Sequence, residues 1–363
     1  MPVNAFLRSE YTLPVSFGIV LLYLLFGAEL LYPLDRFAVT AVNLVVIFTT
    51  MLAGSFSVIR HADALAVKLG EPYGTLLLTL SVITIEVVAI SMVMVTGGDN
   101  PTLARDMMFA VLMIVLNGLV GVSLLIGGWK YVQQQFNLQG VSTYLAVLST
   151  LAVFSLILPV FTRSSSVGTF SHQQTFFAIV VSLALYGIFL GIQTIRHKDF
   201  FTSGGDDGHH AGETKSIGYH AILLVLYMLP IVILSKKLAV IVDFGIGSAG
   251  APAALGGMLV AILVLSPEGL ASIRAARHNN LQRSMNVCFG SALATISLTV
   301  PAVLLVSLFT GETVIMGLSG PETVLLVLTL FVSTINFSSG KSNLLHGAVH
   351  LVLFLIYLML IFD

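Results

Sequence analysis

Residues 252–301 read PAALGGMLVAILVLSPEGLASIRAARHNNLQRSMNVCFGSALATISLTVP. The stretch opens as an apolar helix with a paired glycine step at Gly256-Gly257, then breaks its own pattern at Ser266-Pro267-Glu268. A proline inside a helix frees a backbone carbonyl one turn back, and a carboxylate among leucines and valines is costly in lipid. Both features need a partner, water or an ion. Working outward, residues 70–90, GEPYGTLLLTLSVITIEVVAI, carry a second such carboxylate at Glu86. Aligning the glutamates gives an offset of 268 − 86 = 182, which also superposes Gly74 on Gly256, Thr84 on Ser266 and Ala89 on Ala271. Small residues, apolar helix, hydroxyl and buried glutamate recur in the same order, the sign of an internal repeat.

Composition places these helices in a membrane. Of 363 residues, 57% are hydrophobic and only 9% charged, with mean hydropathy +1.00, against roughly 25% charged in a soluble domain. The chain is therefore read as an all-α integral membrane protein whose first partner is the lipid bilayer. One cysteine, Cys288, excludes an intramolecular disulfide and a cysteine-rich metal site. A net charge of −1 argues against a nucleic-acid partner. The first apolar run, Leu13 to Tyr32, has the roughly 20-residue length of a span. It lacks a small-residue cleavage site, so it is expected to remain in the protein.

Apolar runs bounded by charges or turn residues predict eleven transmembrane helices, over 13–32, 37–59, 73–97, 106–128, 140–161, 174–195, 217–235, 252–274, 284–309, 321–338 and 343–362. The long polar stretch RHKDFFTSGGDDGHHAGETKSIGYH (196–220) divides them into one leading helix and two sets of five. Five is odd, so equivalent helices must cross in opposite directions. The expected organisation is an N-terminus and leading helix (1–36), a first five-helix repeat (37–195), a cytoplasmic polar linker (196–216) and a second, inverted five-helix repeat (217–363). With the N-terminus inside, 11 of the 16 Lys and Arg residues fall on the cytoplasmic side and five, Arg36, Arg105, Arg163, Lys236 and Lys237, fall outside. A bacterial inner-membrane protein with a cytoplasmic N-terminus and an external C-terminus is expected.

Inversion brings Glu86 and Glu268 together near mid-membrane. Two carboxyls there cannot cheaply both stay charged unless protons or a cation neutralise them. One divalent cation replaces two protons without changing the charge of the site, so a site open to one side at a time predicts cation/proton exchange. Oxygen ligands and the absence of thiolates suit hard cations. Expected supporting ligands are Thr84 and Ser266, two residues before each glutamate, with Asn117, Ser291 and Thr295 from helices four and nine. No cofactor is expected; the ligands are inorganic cations and protons. A passive cation channel lined by the same carboxylates is the competing reading. An enzyme is not, because H-E-x-x-H, G-x-S-x-G and paired intramembrane aspartates are missing.

At these residues the chain resembles the calcium/cation antiporter superfamily of proton-coupled exchangers. LGEPYGTLLLTLSVITIE keeps the family's glycine-to-glutamate spacing, with Gly70, Glu71, Gly74 and Glu86, and SPEGL is followed at the family's distance by FGSALATISLTVP, with its G-S at Gly290-Ser291. Both halves carry the likeness, over residues 37 to 362, and the wording is closest to the bacterial ChaA-type calcium/proton antiporters. The resemblance implies Ca²⁺/H⁺ exchange that extrudes Ca²⁺ by alternating access. The family's asparagine three residues before each glutamate is replaced by Ile83 and Leu265, and its glutamine after G-S by Ala294. Fewer coordinating amides keep Na⁺ or K⁺ exchange as the alternative.

Other polar residues have plainer readings. His197, His209, His210 and His220 with Asp206 and Asp207 are expected in a linker, and Arg60-His61-Ala62-Asp63 in a cytoplasmic loop. His346 and His350 are expected to make interhelical hydrogen bonds. Alkaline phosphatase fused after Asp363 is expected to be active in intact bacteria and the same enzyme fused within 203–214 inactive; the reverse pattern would invert the topology.

Overall fold

The computed structural model describes residues 9–27, 37–69, 73–96, 101–202, 215–250, 252 and 254–362. Arg36, Gly70, Glu71, Asp206, Asp207, His209 and His210 lie outside them. Among the described residues the helices are α1 (Thr12–Leu25), α2 (Phe37–Leu69), α3 (Tyr73–Thr96), α4 (Leu103–Tyr131), α5 (Leu138–Phe161) and α6 (His172–Arg196), then α7 (Ile217–Ala249), α8 (Ala254–Arg277), α9 (Leu281–Thr310), α10 (Gly320–Asn336) and α11 (Leu344–Ile361). Seven of them, α2, α4, α5, α6, α7, α9 and α11, contain stretches long and apolar enough to cross a membrane. Helices dominate because in lipid every backbone N–H and C=O must be satisfied within its own segment.

The two halves match element by element. α2 and α7 are each 33 residues long, and α3 and α8 each 24. α4 and α9 run 29 and 30 residues, and each carries a widened π-helical turn, Ile114–Leu119 in α4 and Thr295–Thr299 in α9. Packing crosses between the halves: α2 lies on α7, α3 on α9, α8 on α4, α6 on α9 and α11 on α4. The two halves are thus matched in element length and interleaved in packing, with α1 against α2 and α7. Two apolar clusters result. α1, α2 and α7 share one around Ile47, Met51, Tyr227, Ile231 and Leu234, while the larger one is centred on α4 and α9.

Local chemistry sets the ends. Asn137 caps α5 by accepting from the backbone N–H of Gln139 and Gly140. Ser171 with Gln174 and Ser319 with Glu322 form capping boxes on α6 and α10. A short antiparallel ribbon, β1 (Gln133–Gln135) against β2 (Lys341–Asn343), ties the end of α4 to the start of α11. Gly168, at φ 81°, lets its carbonyl accept from the N–H of Met316 and Gly317 at 2.7 and 2.9 Å, lacing the α9–α10 connection to the α5–α6 turn.

Two expectations about boundaries are corrected. α2 does not end near residue 59 with a loop at Arg60–Asp63; it continues to Leu69 because His61, Ala62 and Leu65 are buried against neighbouring helices. α7 is not stopped by Lys236-Lys237 but runs to Ala249, with Leu238 and Ile241 still in the core. His220 belongs to α7 and is buried rather than part of a linker.

α4 and α11 touch backbone to backbone. A Cβ on Gly347 would fall 2.6 Å from the Leu125 nitrogen and 2.8 Å from the Gly121 carbonyl oxygen. Gly347→Val is expected to cost about 1–3 kcal/mol through overpacking, read as a lowered Tm in detergent, whereas Gly187→Ala, where a Cβ meets nothing within 4 Å, is expected to leave Tm unchanged.

Candidate functional site

α3 and α8 deliver Glu86 and Glu268 to the interior, with 2% and 1% of their surfaces exposed. The residues around them are apolar on their own helices: Ile83 and Ile85 beside Glu86, and Leu265 ahead of Glu268, are all buried. The donors come from elsewhere. On α9, the Ser291 hydroxyl donates to Glu268 Oε2 and the Thr295 hydroxyl to Glu86 Oε2, the latter at 2.8 Å. Ser291 and Thr295 are four residues apart, one helical turn, so they rise about 6 Å along the same face of the helix. One helix therefore holds a carboxyl from each half. The remaining oxygen of each, Oε1, is buried and has no hydrogen-bond partner among the described residues.

A polar string that the sequence reading did not single out continues from this pair. Ser272, one turn after Glu268 on α8, has Ser284 Oγ at 2.8 Å, Cys288 Sγ at 3.0 Å and Ser123 Oγ at 3.0 Å. Ser284, Cys288, Ser291, Thr295 and Thr299 recur every three or four residues along α9, so they form one hydroxyl- and thiol-lined face that passes both carboxyls. That periodicity was the available signal.

The other expected ligands are placed differently. Thr84 is exposed and donates to its own helix at the Leu80 carbonyl, 2.7 Å away. Ser266 donates to the Ile262 carbonyl in the same manner and lines an apolar cavity of about 440 Å³ between α2, α4, α8 and α11. These are back-bonds to the preceding turn, the ordinary use of a hydroxyl within a helix. Asn117 is buried in a separate cluster: its amide nitrogen donates to Thr329 Oγ1 at 2.9 Å, and its oxygen faces His350 Nδ1 at 3.3 Å. His350 thus makes the interhelical contact expected of it, though in the core. The structure brings Ser291 and Thr295 to the glutamates and leaves Thr84, Ser266 and Asn117 bonded elsewhere.

Helices of membrane length in two matched halves, with one buried carboxyl from each held on a single helix, define a multi-pass membrane transporter. A family model described as "Sodium/calcium exchanger protein" matches residues 39–195 and 219–362; the chain belongs to that family. It is 44% identical to the sodium-potassium/proton antiporter ChaA of Escherichia coli (strain K12) over 331 residues, 89% of each chain. Among solved structures, native YfkE matches with TM-score 0.73 at 19% identity, over 96% of this chain and 99% of that one. The H⁺/Ca²⁺ exchanger CAX matches with TM-score 0.71 at 13% identity, over 97% of this chain and 88% of that one. These two structures share the fold.

Removing either α9 hydroxyl strips a buried carboxylate of its donor, worth roughly 1.5–3 kcal/mol. Ser291→Ala and Thr295→Ala are each expected to weaken apparent cation affinity about tenfold or more, with Thr295→Ser restoring it. The measurement is the concentration dependence of exchange in proteoliposomes.

Proposed function

We propose that this chain is a cation/proton antiporter in which Glu86 and Glu268 bind the cation and protons in turn, each occupant displacing the other. The observation that carries this reading is the pairing of two buried carboxyls, one per inverted half, on a single hydroxyl-bearing helix. In a low-dielectric interior their charge must be neutralised, by protons or by a cation. Exchange follows when neither species can leave the site without the other replacing it. The site's donors are oxygens, which suits hard cations. Two carboxylates balance one Ca²⁺ in charge, so Ca²⁺/H⁺ exchange, extruding Ca²⁺ from the cytoplasm, is the leading assignment.

A second reading, Na⁺ or K⁺ exchange at the same site, is favoured by two observations. The relative that is 44% identical is named for sodium, potassium and protons, and the buried Ile83 and Leu265 occupy the positions where the resemblance implies amide ligands. Fewer oxygens around the ion favour a cation with a smaller dehydration cost. On either reading Ser291 and Thr295 are first ligands, with Asn117, Thr84 and Ser266 contributing only in conformations that release their present bonds. The division into 1–36, 37–195, 196–216 and 217–363, the bacterial inner-membrane location and the cytoplasmic N-terminus are part of the same proposal, as is the absence of a cofactor or an enzymatic step.

Uptake of radioactive calcium into proteoliposomes under an imposed pH gradient, with sodium or potassium as competitor, tests both readings. Calcium uptake driven by the gradient and lost in Glu86→Gln and in Glu268→Gln, with both variants still folded, is the expected result. Proton movement driven by sodium or potassium without calcium uptake would assign the monovalent reading. Exchange that survives both substitutions would overturn the role of the glutamates, and flux that persists without a counter-ion gradient would replace antiport by a channel.

A further inference from the structure

A third buried carboxylate lies far along the chain from the transport site, at the end of the bundle where α1 begins. Glu10 is only 3% exposed and precedes the residues that match the family model. Arg60 Nη2 pairs with its Oε2. Tyr227 donates to Oε2 at 2.9 Å and Tyr219 to Oε1 at 3.2 Å. Thr12 Oγ1, within 2.9 Å of the Tyr227 hydroxyl and 3.2 Å of Ser57 Oγ, links α1 to the same group. His61 Nε2 on α2 is 3.4 Å from Glu10 Oε2, and its Nδ1 is 3.0 Å from Nδ1 of His220 on α7. Both rings are buried, and His220 Nε2 has no hydrogen-bond partner among the described residues.

We infer that Glu10, His61 and His220 form a proton-binding site, separate from the transport carboxyls, that takes one proton and thereby loosens the packing of α1 and α7 on α2. The capacity of one follows from the Nδ1···Nδ1 contact. Two ring nitrogens 3.0 Å apart need one hydrogen between them, so one ring donates and the other accepts. If His61 Nε2–H points to Glu10, His220 donates to His61 and the added proton lands on the open Nε2 of His220. If His61 Nε2 instead accepts from Arg60, 3.4 Å away, His61 donates to His220 and the added proton goes to His61 Nε2 and faces Glu10. In both tautomers one imidazolium fits with the shared hydrogen in place. A second would set two N–H groups against each other.

The ligand is a proton rather than a metal ion because the atoms do not converge. His61 turns a different nitrogen to each partner, and among the described residues no group of three His, Cys, Asp or Glu side chains surrounds a common point. The effect of the proton follows from the charges facing it. Arg60 and Lys68 approach from α2, and Lys215, Tyr219 and Tyr227 from α7 and the residues before it; among the described side chains Glu10 is the one carboxylate acting on these rings. Burial alone would raise the Glu10 carboxyl, but the Tyr227 hydroxyl and the charges of Arg60 and His61 hold its pKa below the ordinary carboxylate value. Glu10 therefore stays ionised and already paired with Arg60, so an added imidazolium charge on His220 meets the fields of Lys68, Lys215 and Arg60 against that of Glu10 alone among the described groups acting on it. The repulsion acts across the α2–α7 contact. Stability from this contact is present above the ordinary histidine range, near pH 6.5, and is lost as pH falls through it.

Thermal unfolding of the purified full-length protein in detergent between pH 8 and pH 5.5 tests this without recourse to transport. The wild type is expected to lose Tm across the range by about 2–4 °C more than His61→Gln/His220→Gln, which keeps polar side chains but cannot titrate. Lys215→Gln, which leaves both rings in place, is expected to move the wild-type inflection to higher pH by removing one opposing charge. Parallel profiles for wild type and double variant, or an inflection unmoved in Lys215→Gln, would overturn the assignment. Because the readout is stability, it stands or falls separately from the role of Glu86 and Glu268.

Discussion

Two carboxyls buried in an apolar interior and held by hydroxyls one turn apart on one helix are the constraint on which the rest of the molecule depends. Among the described residues, neither α3 nor α8 supplies its own glutamate with a donor. α9 serves both, through Ser291 and Thr295 one turn apart. The consequence is geometric. Any shift of α9 along its axis, or any separation of the halves, must disturb both carboxyls together, since the same helix face holds them. A site in which two charged groups share one scaffold can tolerate an occupant that neutralises both, and resists a state in which both are bare.

The symmetry of the bundle supports this junction. α2 matches α7 in length and α3 matches α8, and α4 and α9 each carry a widened turn near the middle of the helix. Symmetry is not complete, however. The α9 face carries Ser284, Cys288, Ser291, Thr295 and Thr299, whereas α4 commits its buried amide, Asn117, to Thr329 and His350. The second half thus holds the hydroxyl ladder beside the glutamates, while the first half holds a distinct polar cluster against α11. The chain elaborates on the repeat where chemistry requires one helix to do what its counterpart does not.

Beyond the junction, α1 adds polar contacts that no repeat logic requires. Glu10 is drawn into the packing of α2 and α7 by four side chains from those two helices. α2 and α7 are counterparts in the two halves, so a charge placed at their common end acts on both at once.

The sequence by itself determined the membrane environment, the helical class and which two glutamates lie buried among apolar helices. Each follows from properties local to a segment: apolar length, charge at the ends, and a carboxylate whose cost in lipid is fixed by its depth. Composition and offset are enough for these because they do not depend on which helices touch. What only the tertiary structure decided is which oxygens serve those carboxylates. Proximity in sequence favoured Thr84 and Ser266, yet a hydroxyl on a helix reaches its own preceding carbonyl more easily than a carboxyl two residues on, and both do so. Ser291 and Thr295 reach the glutamates because α9 crosses α3 and α8, a relation set by packing across the two halves. The same reason hid the Glu10 cluster. His61 and His220 are 159 residues apart, and nothing short of the folded contact between α2 and α7 brings their rings together.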